Sequence, residues 1–266
     1  MKILAIMGSP HRGNSLRATQ RIEESLARFG DVEFDYVHLK DVELRPCRGC
    51  FVCFIKGEAR CPVKDDKEMI ARKIEEADGV IFVSPVYSMH VSYLFKQFVD
   101  RFACTFHRPC YWGKYALTVA VAGNIGLKET NKYLKDMAMA WGFEVVAELG
   151  YRMAPRNTPM RAISRQEDCT DEAVRRFYTA IRDRPPRRLT LKDHFTFRIM
   201  QASYARLETM SPTDFQYWKE RGWLERDTVY FHDNVRPNWL FDRVTRVMGW
   251  MTGRQIDNAL AKPAQS

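Results

Sequence analysis

Lys2-Ile3-Leu4-Ala5-Ile6-Met7 runs without a break into Gly8-Ser9-Pro10-His11-Arg12-Gly13-Asn14-Ser15. The first six residues are a short apolar run, too short for a buried helix, and Gly-Ser-Pro stops it; this pattern predicts a strand. The segment 15–29 follows, with Ile22, Leu26 and Phe29 on one helical face and Gly30 as a stop signal, which predicts a helix. A strand, a Gly/Ser-rich turn and a helix therefore open the chain. A helix N-terminus presents free N–H groups and the positive end of the helix dipole to such a turn, an arrangement suited to an anion.

The same alternation continues outward from this unit. Strands are expected at 32–39, 79–83, 115–122 and 143–149, and helices at 65–77, 91–102, 130–141 and 167–183. Asp65 with Glu68 three residues later resembles a capping box for the second helix. Most of the strands are continuous apolar runs. The expected fold class is therefore α/β, a doubly wound five-stranded parallel sheet covered by helices on both faces. In such sheets ligands bind beyond the carboxyl ends of the strands, which directs attention to the loops after strands one, three and four.

Pro185-Pro186 breaks the pattern. The expected division is a domain over 1–185 and a helical C-terminal extension over 186–266, rich in Trp, Tyr, Phe and Met. Its aromatic residues concentrate in Phe215-Gln216-Tyr217-Trp218-Lys219-Glu220-Arg221-Gly222-Trp223. Its last helix carries a stripe of Leu240, Val244, Val247 and Met251. Such an extension caps a site or builds an oligomer.

The chain has 266 residues, 45% hydrophobic and 28% charged, with a net charge of +9. Those values suit an ordinary globular protein and exclude collagen-like, coiled-coil and wholly disordered classes. The last 86 residues hold 15 Lys/Arg against 10 Asp/Glu, so the basic excess is spread out and forms no block. No nucleic-acid-binding signature accompanies it, and no nucleic-acid partner is expected. No apolar run approaches 18 residues, so no membrane span is expected. The apolar start reaches Gly8-Ser9-Pro10 too soon for a signal peptide, which leads to a cytoplasmic expectation. There is no G-x-S-x-G and no H-E-x-x-H, so hydrolysis has no support.

The first loop lacks the Gly-Lys-Ser/Thr ending of a P-loop and is not G-x-G-x-x-G. With Ser9, Arg12, Asn14 and Ser15 it suits a single phosphate monoester, as in a mononucleotide. The alternative is a plain strand-to-helix turn with Ser15 as N-cap. The second loop, Ser84-Pro85-Val86-Tyr87-Ser88, offers apolar and aromatic surface for a flat ring. The third, Ala122-Gly123-Asn124-Ile125-Gly126, lets backbone amides approach a ligand.

Four of the seven cysteines fall between residues 47 and 61: Cys47, Cys50, Cys53 and Cys61, spaced C-x2-C-x2-C-x7-C. Four such thiolates suit an iron–sulfur cluster or a zinc ion, and disulfides are disfavoured in a reducing compartment. A cysteine loop that holds no metal is the third possibility. Cys104, Cys110 and Cys169 are single thiols with no role expected, and no catalytic side chain is singled out.

On Gly8-Ser9-Pro10 with Asn14-Ser15, Ser84-Pro85-Val86-Tyr87, and Lys96 with Asp100-Arg101, the chain resembles the flavodoxin-like NAD(P)H-dependent FMN reductases over roughly residues 1–150. The cysteine motif, placed between the second strand and second helix, is similar to that of the iron–sulfur flavoprotein subgroup. The resemblance implies a flavodoxin-like fold with FMN held by Ser9, Arg12, Asn14, Ser15, Ser84, Pro85, Val86, Tyr87, Ser88, Gly123 and Asn124. It implies a [4Fe–4S] cluster on the four cysteines and a homodimer or homotetramer. Cluster-free relatives also keep a Cys-x-Gly-Cys-x-x-Cys segment, so Cys47-Arg48-Gly49-Cys50-Phe51-Val52-Cys53 and the following Lys64-Asp65-Asp66 serve both groups. The implied activity is electron transfer from NAD(P)H or a ferredoxin-like donor to a small acceptor: a quinone, a nitro compound, an oxygen species or a metal ion. A flavodoxin-type carrier and a cysteine-loop redox sensor are the non-catalytic alternatives.

Overall fold

Along β1 (Lys2–Met7) the side chains alternate between two cores, and that alternation organises the sheet. In the computed structural model, which describes residues 1–153 and 160–261 (and no side chains for 160–166), Ile3, Ala5 and Met7 face one core while Leu4 and Ile6 face the other. The elements that follow are α1 (Asn14–Ala27), β2 (Glu33–His38), the short α2 (Val52–Ile55), α3 (Lys67–Glu76), β3 (Gly79–Tyr87), β4 (His90–Val91), α4 (Tyr93–Arg101), β5 (Tyr115–Ala122), α5 (Leu127–Ala140), β6 (Glu144–Arg152) and α6 (Met160–Asp183).

The sheet order is β2-β1-β3-β5-β6, all parallel, with β4 folded back antiparallel on the end of β3. β1, β3 and β5 are central and almost entirely buried; β2 and β6 are edges and correspondingly half-exposed. On one face α1 and α6 supply Ile22, Leu26, Val174 and Phe177. On the other, α3, α4 and α5 bury Ile70, Ile74, Phe95, Phe98 and Leu134 around Trp141. This is the flavodoxin-like doubly wound sheet that the sequence predicts.

Two local expectations are corrected. Asp65 is not the N-cap of α3: Asp66 holds that place without a side-chain cap bond, and the Asp65 carboxylate, paired with Arg101, accepts only the Lys67 N–H from the helix start. The segment after Val83 is not a loop either, since β3 continues through Tyr87 before the chain reverses.

The chain divides into two compact units. One comprises Met1–Arg48 with Val63–Arg184, the other Gly49–Pro62 with Pro185–Ser266. Residues 49–62, expected within the first domain, thus group with the C-terminal extension. Within the second unit are β7 (Arg187–Arg188), α7 (Leu191–Tyr204), α8 (Pro212–Glu220), β8 (Val235–Arg236) and α9 (Trp239–Leu260). Its core packs Phe197, Tyr204, Trp218, Trp223 and Phe231 together, so two of the four aromatics in the 215–223 run serve this core. Among the described residues no helix is long and apolar enough to cross a membrane.

Candidate functional site

The loops after β1, β3 and β5 meet at the carboxyl end of the sheet. Gly8 N–H donates to the Val83 carbonyl (2.8 Å), and Ser92, the N-cap of α4, donates its hydroxyl to the Gly8 carbonyl while accepting from Phe95 N–H. A Cβ on Gly8 would stand 2.9 Å from the Phe95 side chain, so only glycine lets the loop approach α4 this closely. Gly126, with φ +87°, seats the third loop on the second: a Cβ there would stand 2.6 Å from Val86 Cγ1.

In the first loop Ser9 is buried and its hydroxyl donates to the His11 carbonyl (2.7 Å), closing the turn from inside. Ser15 is buried at the second position of α1 and is not the N-cap; Gly13 holds that place, with no side chain capping the helix. The first N–H groups of α1 therefore face the loop without a side-chain acceptor. Arg12 pairs with Asp41 (3.0 Å), a carboxyl that Lys40 and Arg12 hold below its usual range. One carboxylate thus serves two cations, so Arg12 is held in an ion pair while the cluster keeps a net positive charge. Arg17, one turn into α1, reaches back to the Asn14 side chain (2.7 Å), and no acidic partner is recorded for it among the described residues. A cavity of about 450 Å³ beside α1 is lined by Asn14, Arg17, Arg21, Tyr151, Arg152 and Met153.

The second loop is a hairpin. Val86 pairs with Val91 and Tyr87 with His90, and the turn residues Ser88 and Met89 both lie in the left-handed region, at φ +49° and +70°. Neither is the Gly or Asn that such turns favour. The Ser84 hydroxyl is buried, donating to the Pro85 carbonyl and accepting from Ser92 N–H, so it locks the hairpin and does not face outward. Pro85 is buried too. Tyr87 and Met89 are exposed and Val86 half-exposed, which gives the apolar platform. His90 packs edge-on against Tyr133, whose hydroxyl is pushed up to about 12 by burial and then by Asp100. In the third loop Gly123 and Asn124 are exposed beside Ile125.

Ser92 and Arg17 are the two residues here that the sequence does not single out. A serine three residues ahead of Phe95 at a helix start is a legible N-cap signal. Nothing local marks Arg17, whose importance depends on Arg12 being held by Asp41.

None of the seven cysteines is in a disulfide. Cys47 and Cys50 are exposed, Cys53 lies on α2 and Cys61 follows a single 3-10 turn. Left-handed residues Gly49, Phe51 and Gly57 punctuate the segment. In the second unit it rests on α8: Ser211 Oγ donates to the Phe54 carbonyl (3.4 Å), and Thr213 lies beside Gly57. Among the described residues no three Cys, His, Asp or Glu side chains stand close enough to share a metal ion. The donor chemistry of four thiols suits a cluster.

A flavodoxin-like sheet with three loops converging on an uncapped helix N-terminus and an apolar hairpin defines a mononucleotide-binding class. The match to the NADPH-dependent FMN reductase family covers residues 1–154, and the chain belongs to that family, an oxidoreductase family. Within it the similarity runs to iron–sulfur flavoproteins. One from Archaeoglobus fulgidus is 28% identical over 228 residues, 84% of this chain and 100% of the relative. A second from the same organism is 33% identical over 158 residues, 58% of this chain and 72% of the relative. A crystal structure of RosB with a bound 8-demethyl-8-formylriboflavin-5'-phosphate intermediate shares the fold, with a TM-score of 0.52 at 14% identity over 69% of this chain and 79% of that one.

Proposed function

We propose that this chain holds FMN across the three loops, accepts reducing equivalents from NAD(P)H or a ferredoxin-like donor, and passes them to a small acceptor of the quinone, nitro, oxygen-species or metal-ion type. The observation that carries this proposal is the convergence of the uncapped α1 N-terminus with the Val86–Met89 hairpin through Gly8 and Gly126. Bound FMN would supply the redox chemistry, accepting a hydride and releasing electrons singly or in pairs.

The protein's own part is placement. The α1 amides, with Asn14 and Ser15, receive the phosphate, and Arg17 adds positive potential where Arg12 is held by Asp41. Val86, Tyr87 and Met89 offer the flat ring an apolar surface. Gly123 and Asn124 line its other side with exposed backbone and a short amide. Cys47, Cys50, Cys53 and Cys61 would hold a [4Fe–4S] cluster as a one-electron partner, which requires the segment to close around it. The protein works in the cytoplasm as a homodimer or homotetramer.

Anaerobic purification followed by absorption spectroscopy, iron and acid-labile sulfide assays, and NAD(P)H turnover with several acceptors tests the proposal. Flavin bands, a broad shoulder near roughly 400 nm and about four iron and four sulfide per chain are expected. Flavin without iron removes the cluster and leaves the reductase. Full FMN loading with no turnover from any donor removes the enzyme assignment.

A further inference from the structure

α9 is anchored by one face only. Thr245, Gly249 and Gly253, spaced four residues apart, are buried. A Cβ on Gly249 would stand 3.1 Å from the Arg198 carbonyl of α7, and one on Gly253 would stand 2.6 Å from the Arg206 guanidinium. Arg198 and Arg246 both reach Asp242, and Arg206 pairs with Asp257. This spine fixes the rotation of α9 and turns the opposite face outward.

That outward face carries Leu240, Val244, Val247 and Met251, all about half exposed, at spacings of four, three and four. The spacing is a coiled-coil seam, narrower than the broad stripe a helix buries on its own domain. Trp239 at 71% and Trp250 at 59% exposure extend it, with Met248 on the other flank. Each fully buried aromatic covers ~150–250 Å². The contiguous apolar area is therefore several hundred Å², at or above the largest patch of a typical monomer (~300–600 Å²) and approaching the ~800 Å² per partner of a stable interface.

We infer that this seam is a homodimer contact in which α9 packs antiparallel against α9 of a second copy. The pattern is self-complementary in that orientation. Val244 falls opposite Val247 of the partner subunit, and Leu240 opposite Met251 of the partner subunit. On one flank Arg243 meets Trp250 of the partner subunit, a cation–π pairing repeated by the two-fold axis. Each arginine already stacks on an indole of its own helix, Arg243 over Trp239 and Arg254 over Trp250, so guanidinium–indole packing suits this face. On the other flank Met248 meets Phe241 of the partner subunit. A parallel pairing would instead set Arg254 against its own copy in the seam, two like charges in an apolar contact. An antiparallel pairing carries Arg254 past the end of the partner helix.

The test is the mass of the full-length protein by analytical ultracentrifugation for the wild type, Val247→Glu and Val244→Lys, and an equimolar mixture of the two variants. Each variant alone buries an unpaired charge twice and is expected at half the wild-type mass. The mixture sets the introduced carboxylate opposite the introduced ammonium once and leaves the other valine layer intact, so the wild-type mass returns. Both positions are solvent-exposed in the single chain, and circular dichroism checks that each variant stays folded. A monomeric wild type, variants of unchanged mass, or a mixture that stays at half mass each overturns the inference. Flotation of a monomeric wild type with phosphatidylserine vesicles would assign the face to lipid instead. The readout is mass, so it is independent of whether the flavin assignment holds.

Discussion

Arg101 of α4 grips Asp65 with both arms of its guanidinium, Nε to Oδ2 at 2.9 Å and Nη2 to Oδ1 at 3.0 Å, and both side chains are almost fully buried. The same arginine donates to the Val63 carbonyl (3.1 Å), and Asp65 accepts further bonds from the Arg45 and Lys67 amides. Two short motifs far apart in the chain, Lys64-Asp65-Asp66 and Asp100-Arg101, are thus one structural device. It clips the chain leaving the cysteine segment onto the helix that follows the hairpin.

Breaking this pair is expected to be costly. Burial raises the Asp65 carboxyl, but the Arg101 guanidinium and the two amides outweigh it and hold the group below its ordinary value. Arg101→Met leaves a buried carboxylate unpaired and is expected to lose about 3–5 kcal/mol in urea melts at pH 7. Because the folded value is depressed, the pair's contribution is present above the unfolded carboxyl pKa of about 3.9 and disappears as pH falls through the folded value. Wild-type stability should therefore fall steeply below about pH 4. Asp65→Asn should start lower and show a shallower slope there; equal slopes would contradict the assignment.

The charge that serves the phosphate loop is expected to be Arg17 and not Arg12. Asp41, shared with Lys40, already holds the Arg12 side chain in an ion pair. Arg17→Gln should weaken FMN binding by roughly 5-fold, the equivalent of a charge–charge attraction of ~1 kcal/mol between a cation and the phosphate at about 4 Å in water. Arg12→Gln should change it less. Flavin fluorescence titration of the apoprotein measures both, and a larger effect of Arg12→Gln would reverse the assignment.

Gly8→Ala should disturb both stability and the cofactor site. Its methyl group meets Phe95 at 2.9 Å, an overpacking of about 1–3 kcal/mol. The loop must then move from α4, and flavin content on purification should drop. Retained stability with full flavin would show that the close approach has no role.

Ser88 and Met89 hold two consecutive left-handed conformations without glycine. Replacing Met89 by Gly should relieve the backbone and raise stability by about 1 kcal/mol. It should also remove an exposed apolar side chain from the hairpin that faces the proposed ring. The expected result is a higher Tm with lower turnover; higher turnover would mean the side chain obstructs the site.

Cys50→Ala should abolish iron and acid-labile sulfide while leaving flavin absorbance in place, whereas Cys169→Ala should change neither. Iron retained in Cys50→Ala would remove Cys50 from the ligand set.

Much of the sheet was legible because a parallel strand buried on both faces has a simple signature. The apolar runs of β1 and β5 start and stop where the chain says they do, at Lys2–Met7 and Tyr115–Ala122. The three loops follow from strand order, and the C-terminal helices from periodicity and aromatic content. Side-chain allegiance was not legible. Asp65 reads as the cap of the second helix, yet its carboxylate is gripped by Arg101, 36 residues on; Ser84 reads as part of a ligand loop, yet its hydroxyl accepts from the Ser92 N–H inside the fold. Such partners lie beyond any local window, and burial strengthens the bonds they make.

The α/β fold class, the loops brought to the carboxyl end of the sheet and the four closely spaced thiols can all be read from the sequence alone. Those depend on periodicity and spacing, which are local quantities. Three features emerge only in the folded chain: Arg12 pairs with Asp41, the cysteine segment rests on α8, and the stripe on α9 faces solvent. Contacts between residues far apart in the chain depend on how the faces of the elements rotate against one another, and in α9 the small residues Gly249 and Gly253 set that rotation.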